Sequence, residues 1–165
     1  MMEEKEKAWK TVSSKYLFRR PWLTVRCEDM LLPNGNHIPE YYILEYPDWV
    51  NTIAITKDGK FVFVRQYRPG LGRTSYELCA GVCDKEDASP LVSAQRELWE
   101  ETGYGKGNWQ EYMVISANPS THTNLTHCFL ATDVEPIDHQ HLEDTEDLSV
   151  HLLTFEEVKQ LLENN

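Results

Sequence analysis

The chain has 165 residues, of which 41% are hydrophobic, the size of one ordinary domain with enough apolar material to build a core. Its formal net charge of -11 makes the average surface repel a phosphate backbone, so nucleic-acid binding is not expected, and the one dense positive pair, Arg19-Arg20, is too short to reverse this. No apolar run approaches the length needed to cross a bilayer, so no membrane partner is expected either.

Taken in chain order, the first pattern is strand-like. From Tyr16 to Tyr46, two runs rich in β-branched and aromatic residues flank Pro33-Asn34-Gly35-Asn36, and an Asn-Gly between such runs predicts a hairpin. A second hairpin is expected where Asp58-Gly59 divides VNTIAIT from KFVFVRQYR. The period then changes: Leu91, Ala94, Leu98 and Thr102 recur at helical spacing, with Ser89-Pro90 as start signal and Gly103 as stop. Strand-like EYMVIS, LTHCFLAT and LSVHLL follow, and Thr154-Phe155-Glu156-Glu157 opens a short last helix with a capping-box pattern. Strands, helix, strands and helix in that order predict an α+β layered fold around a mixed sheet rather than a doubly wound one. The weakest point along the chain falls near Tyr46-Asp48, giving an N-terminal β region over 1–45 and a main domain over 46–165.

The chemistry concentrates on the central helix. In Arg96-Glu97-Leu98-Trp99-Glu100-Glu101 the carboxylates of Glu97, Glu100 and Glu101 stand three or four residues apart and project over one edge of the helix. Like charges at that spacing repel, so a compensating cation is implied. Arg96 meets Glu100 at i+4, which is the plain explanation; a hard divalent ion is the sharper one, because it takes carboxylate oxygens and leaves positions for substrate phosphates. An acidic protein that handles anionic substrates needs such a bridge.

Residues 81–104, GVCDKEDASPLVSAQRELWEETGY, resemble the Nudix box, G-x5-E-x7-R-E-U-x-E-E-x-G-U with U aliphatic or aromatic. The second half matches at every fixed position. In the first half Asp87 stands for the early glutamate, and eight residues rather than seven separate it from Arg96. The resemblance implies an α/β/α sandwich around a mixed sheet, a divalent ion (Mg2+, with Mn2+ as the alternative) held by Glu97, Glu100 and Glu101, and water attack on a diphosphate, with Arg96 orienting the carboxylates.

Outside the box, VRQYRPG and YELCAG resemble the ADP-ribose pyrophosphatase branch, where a Q-[YF]-R segment precedes E-[LF]-P-A-G. Arg68, Glu77, Ala80 and Gly81 fall on those positions and Cys79 replaces the proline. The branch implies substrate contacts for Arg68 and Glu77 and a metal contact from the Ala80 carbonyl. Pro119, fifteen residues beyond Tyr104, resembles the proline that marks ADP-ribose hydrolases. By the same resemblance Glu146 in the acidic loop 141–147 is a further metal ligand, and Glu143 or Asp144 the base. Trp49 is the first choice for stacking an adenine, ahead of Trp22 and Tyr41.

The implied reaction is hydrolysis of a nucleotide-sugar-like pyrophosphate, ADP-ribose first and GDP-mannose as an alternative. The rival from another class is a Nudix-fold module that senses such a ligand without cleaving it. Hydrolysis of nucleoside triphosphates or capped RNA fits the acidity poorly. The branch also implies a homodimer built on the N-terminal strands. Four cysteines without CxxC spacing and an N-terminus without an apolar run read as reduced thiols in a cytoplasmic protein. A zinc site at His122 and His127 is not expected, nor is Cys83 as a nucleophile.

Overall fold

The computed structural model describes residues 7–164, which form two compact units. In the first, β1 (Lys10–Arg20), β2 (Leu23–Leu31) and β3 (His37–Glu45) make an antiparallel meander in that order. The β2–β3 turn carries Asn34 and Gly35, with Gly35 at φ 86, a conformation that glycine adopts without strain. β1 begins well before Tyr16, the start expected from the sequence. Every residue of it is exposed, so it carries no one-sided hydrophobic alternation by which to find it.

This unit also takes in residues 116–124, far away in sequence. The Leu44 amide donates to the Thr121 carbonyl at 2.8 Å and the Thr123 amide to the Leu44 carbonyl at 3.1 Å. A boundary read along the chain assigns this loop to the main domain; backbone pairing gives it to the N-terminal sheet. Inside the sheet, the buried carboxylate of Glu28 is held by Arg26 Nε at 2.6 Å, Thr11 at 3.2 Å and Ser14 at 3.3 Å. Large apolar side chains stay outside: Val12, Leu17, Phe18 and Trp22 are all exposed.

The second unit is built on a mixed eight-stranded sheet. Its strands are β4 (Trp49–Thr56), β5 (Phe61–Arg68), β6 (Arg73–Glu77), β7 (Cys79–Val82), β8 (Tyr104–Gly105), β9 (Asn108–Ile115), β10 (Thr126–Pro136) and β11 (Leu148–Leu153). The main path runs β11-β5-β4-β10-β8, with β6 on β5, β7 on β4 and β9 on β10. β4 and β10 pair in parallel; the other pairs are antiparallel. β10 outruns the segment LTHCFLAT because Asp133, at φ 59, absorbs a register shift between Thr132 and Val134 and lets the strand continue.

Helix α1 (Pro90–Thr102) starts where the sequence signals place it. The Ser89 side chain accepts from the Val92 amide, Pro90 occupies the first turn, and Gly103 closes the helix at φ 72 with its N–H on the Trp99 carbonyl. A Cβ on Gly103 would stand 2.3 Å from the Asp138 carbonyl oxygen, so this position needs glycine for space as well as for φ. Ala94 and Leu98 are fully buried, against Val50, Ala54, Val62 and Val64 of β4 and β5. Burying a leucine contributes about 2 kcal/mol. Because β4 buries Val50, Thr52, Ala54 and Thr56 in alternation, the odd-numbered residues face the other side of the sheet. Helix α2 (Phe155–Glu163), with the expected capping box at Thr154 and Glu157, lies on that side, as Phe155 packs 6.3 Å from Phe61. The sheet is thus sandwiched between two helices.

Candidate active site

Helix α1 presents its carboxylates to β7, and the contact explains why the chain is shaped as it is there. Glu97 lies flat on Gly81: a Cβ at that position would stand 2.1 Å from the Glu97 Cδ. Only glycine lets the strand and the carboxylate share this space. One turn on, Glu101 is 4% exposed, and its Oε2 accepts from the Cys79 thiol at 2.8 Å and the Ala80 amide at 3.3 Å. Loss of solvent raises the pKa of Glu101 to about 7, with the charge of Glu97 adding to the rise and the Cys79 and Ala80 hydrogen bonds opposing it. Glu97 is raised by the same loss of solvent, partly offset by Arg96.

Arg96 organises the group. Its Nη1 donates to Glu97 at 3.0 Å and to Glu100 at 2.9 Å, its Nη2 to the Val82 carbonyl at 3.0 Å and to Asp87 at 3.1 Å, and its Nε to Asp87 at 3.1 Å. Asp84 adds a contact at 3.2 Å. Partial burial works against the guanidinium, but Asp87, Glu97 and Glu100 outweigh it and raise its pKa. Asp87 therefore has a definite place: despite the extra residue between them, its Oδ2 accepts from both Nε and Nη2 of Arg96. Asp84 and Cys79 are members that sequence reasoning did not single out. Cys79 stood out only as the substitute for a proline, and nothing local tied it to Glu101.

The flanking residues sort by neighbourhood. Gln66 and Arg68 on β5 hold Glu77 of β6, Arg68 through contacts of 2.6 and 3.0 Å and Gln66 at 3.2 Å. Arg68 also lies within the field of Glu101, so this clamp borders the carboxylates. Glu146 is close enough for its charge to raise the pKa of Glu101, and its carboxylate accepts from the Glu143 amide at 2.9 Å. Glu143 and Asp144 are exposed on the same loop. Trp49 opens β4, and the strand's alternation puts it on the sheet face opposite α1. Pro119 sits in the 116–124 loop of the other unit, to which Trp22, between β1 and β2, and Tyr41 of β3 also belong; the Tyr41 hydroxyl donates to the Ser120 carbonyl. His127 bonds Glu111 at 2.7 Å. All four cysteines are free.

Three carboxylates from one helix, two of them costly to ionise where they lie, balanced by a single arginine, form a hard-oxygen site with negative charge in excess. Such a donor set fits a small divalent cation, and Gly81 leaves the carboxylates the room to reach one.

Comparisons with known proteins agree with this geometry. Residues 9–44 match the model of the nucleoside diphosphate sugar hydrolase N-terminal domain, and residues 46–165 match the NUDIX domain. The chain is 31% identical over 156 residues to the ADP-ribose pyrophosphatase of Bacillus subtilis (strain 168), covering 94% of this chain and 83% of that one. It is 28% identical over 132 residues to the ADP-ribose pyrophosphatase of Mycobacterium tuberculosis, covering 80% and 63%. The methanol dehydrogenase activator of Bacillus methanolicus is 33% identical over 122 residues, covering 74% and 65%. In fold, the chain resembles a crystal structure of an ADP compounds hydrolase with a TM-score of 0.83 at 22% identity, over 97% of this chain and 85% of the other. With a box helix that buries its glutamates against the box glycine, and a domain match across most of its length, the chain belongs to the Nudix family of pyrophosphohydrolases.

Proposed function

We propose that the protein hydrolyses the pyrophosphate bond of a nucleoside diphosphate linked to a small moiety, ADP-ribose first, to AMP and ribose 5-phosphate. The observation that carries the reading is the Glu97–Glu100–Glu101 cluster organised by Arg96 and pressed onto Gly81 and Ala80. The relatives named ADP-ribose pyrophosphatase support the choice of substrate.

Mg2+, or Mn2+ in its place, is held in this reading by Glu97, Glu100, Glu101, the Ala80 carbonyl and Glu146. When bound it supplies charge neutralisation of the diphosphate, alignment and a more acidic water. Arg96 keeps the carboxylates in their rotamers. The Arg68–Glu77 clamp positions the substrate beside them. Glu143 or Asp144 takes the proton from the attacking water. The new P–O bond forms as the bond to the bridging oxygen breaks, and that oxygen leaves on the second phosphate.

The N-terminal sheet, with its row of exposed apolar residues, supports a homodimer. Four free cysteines support a reducing, cytoplasmic setting. The family matches over residues 9–44 and 46–165 support a domain boundary at 45/46.

The test is AMP release from ADP-ribose, with GDP-mannose, ADP-glucose and a nucleoside triphosphate alongside, with and without Mg2+ in mildly alkaline buffer. Fast, Mg2+-dependent AMP formation supports the reading. Binding without turnover across the panel sinks it in favour of a ligand sensor.

A further inference from the structure

The carboxylate face of α1 uses only oxygen donors, but a group of different chemistry sits at the same helix's C-terminal end. The segment 137–141 folds back onto the last turn. The Ile137 and Asp138 amides donate to the Gly103 carbonyl at 2.9 and 3.1 Å, and the His141 amide to the Glu100 carbonyl at 2.8 Å. Gln140 Nε2 donates to the Glu101 carbonyl at 2.7 Å. Carbonyls that the helix leaves open are thereby satisfied, and the segment is fixed. Upon this scaffold, Asp138 Oδ1 lies 2.7 Å from His139 Nδ1 and Asp138 Oδ2 lies 3.0 Å from His141 Nε2. The three donors all fall within 4.8 Å of one another.

We infer that Asp138, His139 and His141 form a second cation site, separate from the carboxylate cluster and selective for a first-row divalent ion of the Zn2+, Ni2+ or Cu2+ class. Donors around such an ion stand about 3.3 Å apart for metal–ligand bonds of about 2.0–2.1 Å, a spacing that these groups reach by small adjustments. Imidazole favours that ion class as carboxylate and carbonyl oxygen favour Mg2+, so two chemically different ions sort between the two sites. The electrostatics point the same way: the helix C-terminus is negative, and α1 has no basic residue in its last turn. His139 is 80% exposed, so an ion from solvent reaches the site without any rearrangement. The ring of His141 stacks on Trp99 with centroids 4.2 Å apart, which puts an intrinsic reporter against one ligand.

The experiment is a titration of tag-free protein with Ni2+ in excess Mg2+, read by tryptophan emission, with calorimetry of Zn2+ alongside. The expected result is saturable quenching that Mg2+ does not compete with and that survives Glu97→Gln. Trp99→Phe removes that quenching while one Zn2+ site remains by calorimetry. His139→Asn, an exposed change that leaves the scaffold bonds in place, weakens the affinity at least about tenfold, and adding His141→Asn abolishes the site. Quenching that is unchanged in the double variant, that Mg2+ displaces, or that disappears in Glu97→Gln overturns the inference. None of these readings uses pyrophosphate turnover, so failure here is distinct from failure of the proposed reaction.

Discussion

Two acidic regions of this molecule look alike as sequence and differ as chemistry. The α1 carboxylates are partly or fully buried, and four acidic residues converge on one arginine. Glu143 and Asp144, in contrast, stand in water on the loop before β11, and Glu146 ties that loop to itself through the Glu143 amide. Desolvation is what separates them. A solvated acidic loop is content without a counter-ion, whereas buried carboxylates need either a proton or a cation, and the Glu101 pKa near 7 expresses that demand.

The comparison breaks most directly at Glu101. Glu101→Gln keeps the size and removes the charge, and should lower kcat by about 10³-fold or more, close to 4 kcal/mol of barrier. Undiminished turnover in that variant would falsify the metal assignment. For the loop, Asp144→Asn and Glu143→Gln should divide unequally. The base should lose about 10²-fold in kcat with its Mg2+ requirement unchanged, and its neighbour almost nothing. Equal, small losses in both would move proton transfer elsewhere.

Arg96→Lys comes next. A lysine cannot fork onto Asp87 while also holding Glu97 and Glu100, so about 10- to 100-fold weaker apparent Mg2+ affinity is expected in an activity titration. Wild-type affinity would show that the guanidinium orients nothing.

The smallest effect is on stability. Free in an unfolded chain, Glu101 titrates near 4.5; folded and metal-free, it titrates near 7. Its folded pKa is raised, so its contribution is fully present below 4.5, declines as pH rises and is gone above about 7. The full difference amounts to about 3.4 kcal/mol, of which about 2 kcal/mol is lost between pH 5.5 and pH 8. Metal-free wild type should therefore lose several degrees of Tm between pH 5.5 and pH 8 relative to Glu101→Gln, and Mg2+ should restore more at pH 8 than at pH 5.5. Parallel pH curves for the two proteins would contradict the buried-carboxylate account.

What the sequence made readable follows the range of the forces involved. Helix α1 was legible because its cap, first-turn proline, periodic Ala94 and Leu98 and terminal Gly103 all act within a few residues. Both hairpins were legible through Asn34-Gly35 and Asp58-Gly59. β1 was not, since it is exposed along its length and carries no one-sided pattern. Nor was the attachment of 116–124 to β3, nor the Cys79–Glu101 contact, which joins residues 22 apart. The box carboxylates could be named from their spacing together with the resemblance to the Nudix box, but their unequal burial depends on which strand lies beneath them. Asp87 shows the same limit: counted along the chain it is one residue out of place, yet a long arginine side chain reaches it.

The parallel pairing of β4 with β10 bears on the order in which the chain assembles. The Asp48 side chain, at the start of that pair, receives the amide of Leu125, 77 residues later, whereas β1, β2 and β3 close through short turns. Chain-closure entropy makes a pairing of that span slow, and local meanders quick. During synthesis, β4 emerges long before its partner and waits with one edge open, so the N-terminal meander is expected to form first and the centre of the main sheet last. Pulse-labelled hydrogen exchange during refolding would display this as early protection in β2 and late protection in β4 and β10; simultaneous protection in all three would mean that the whole sheet condenses at once.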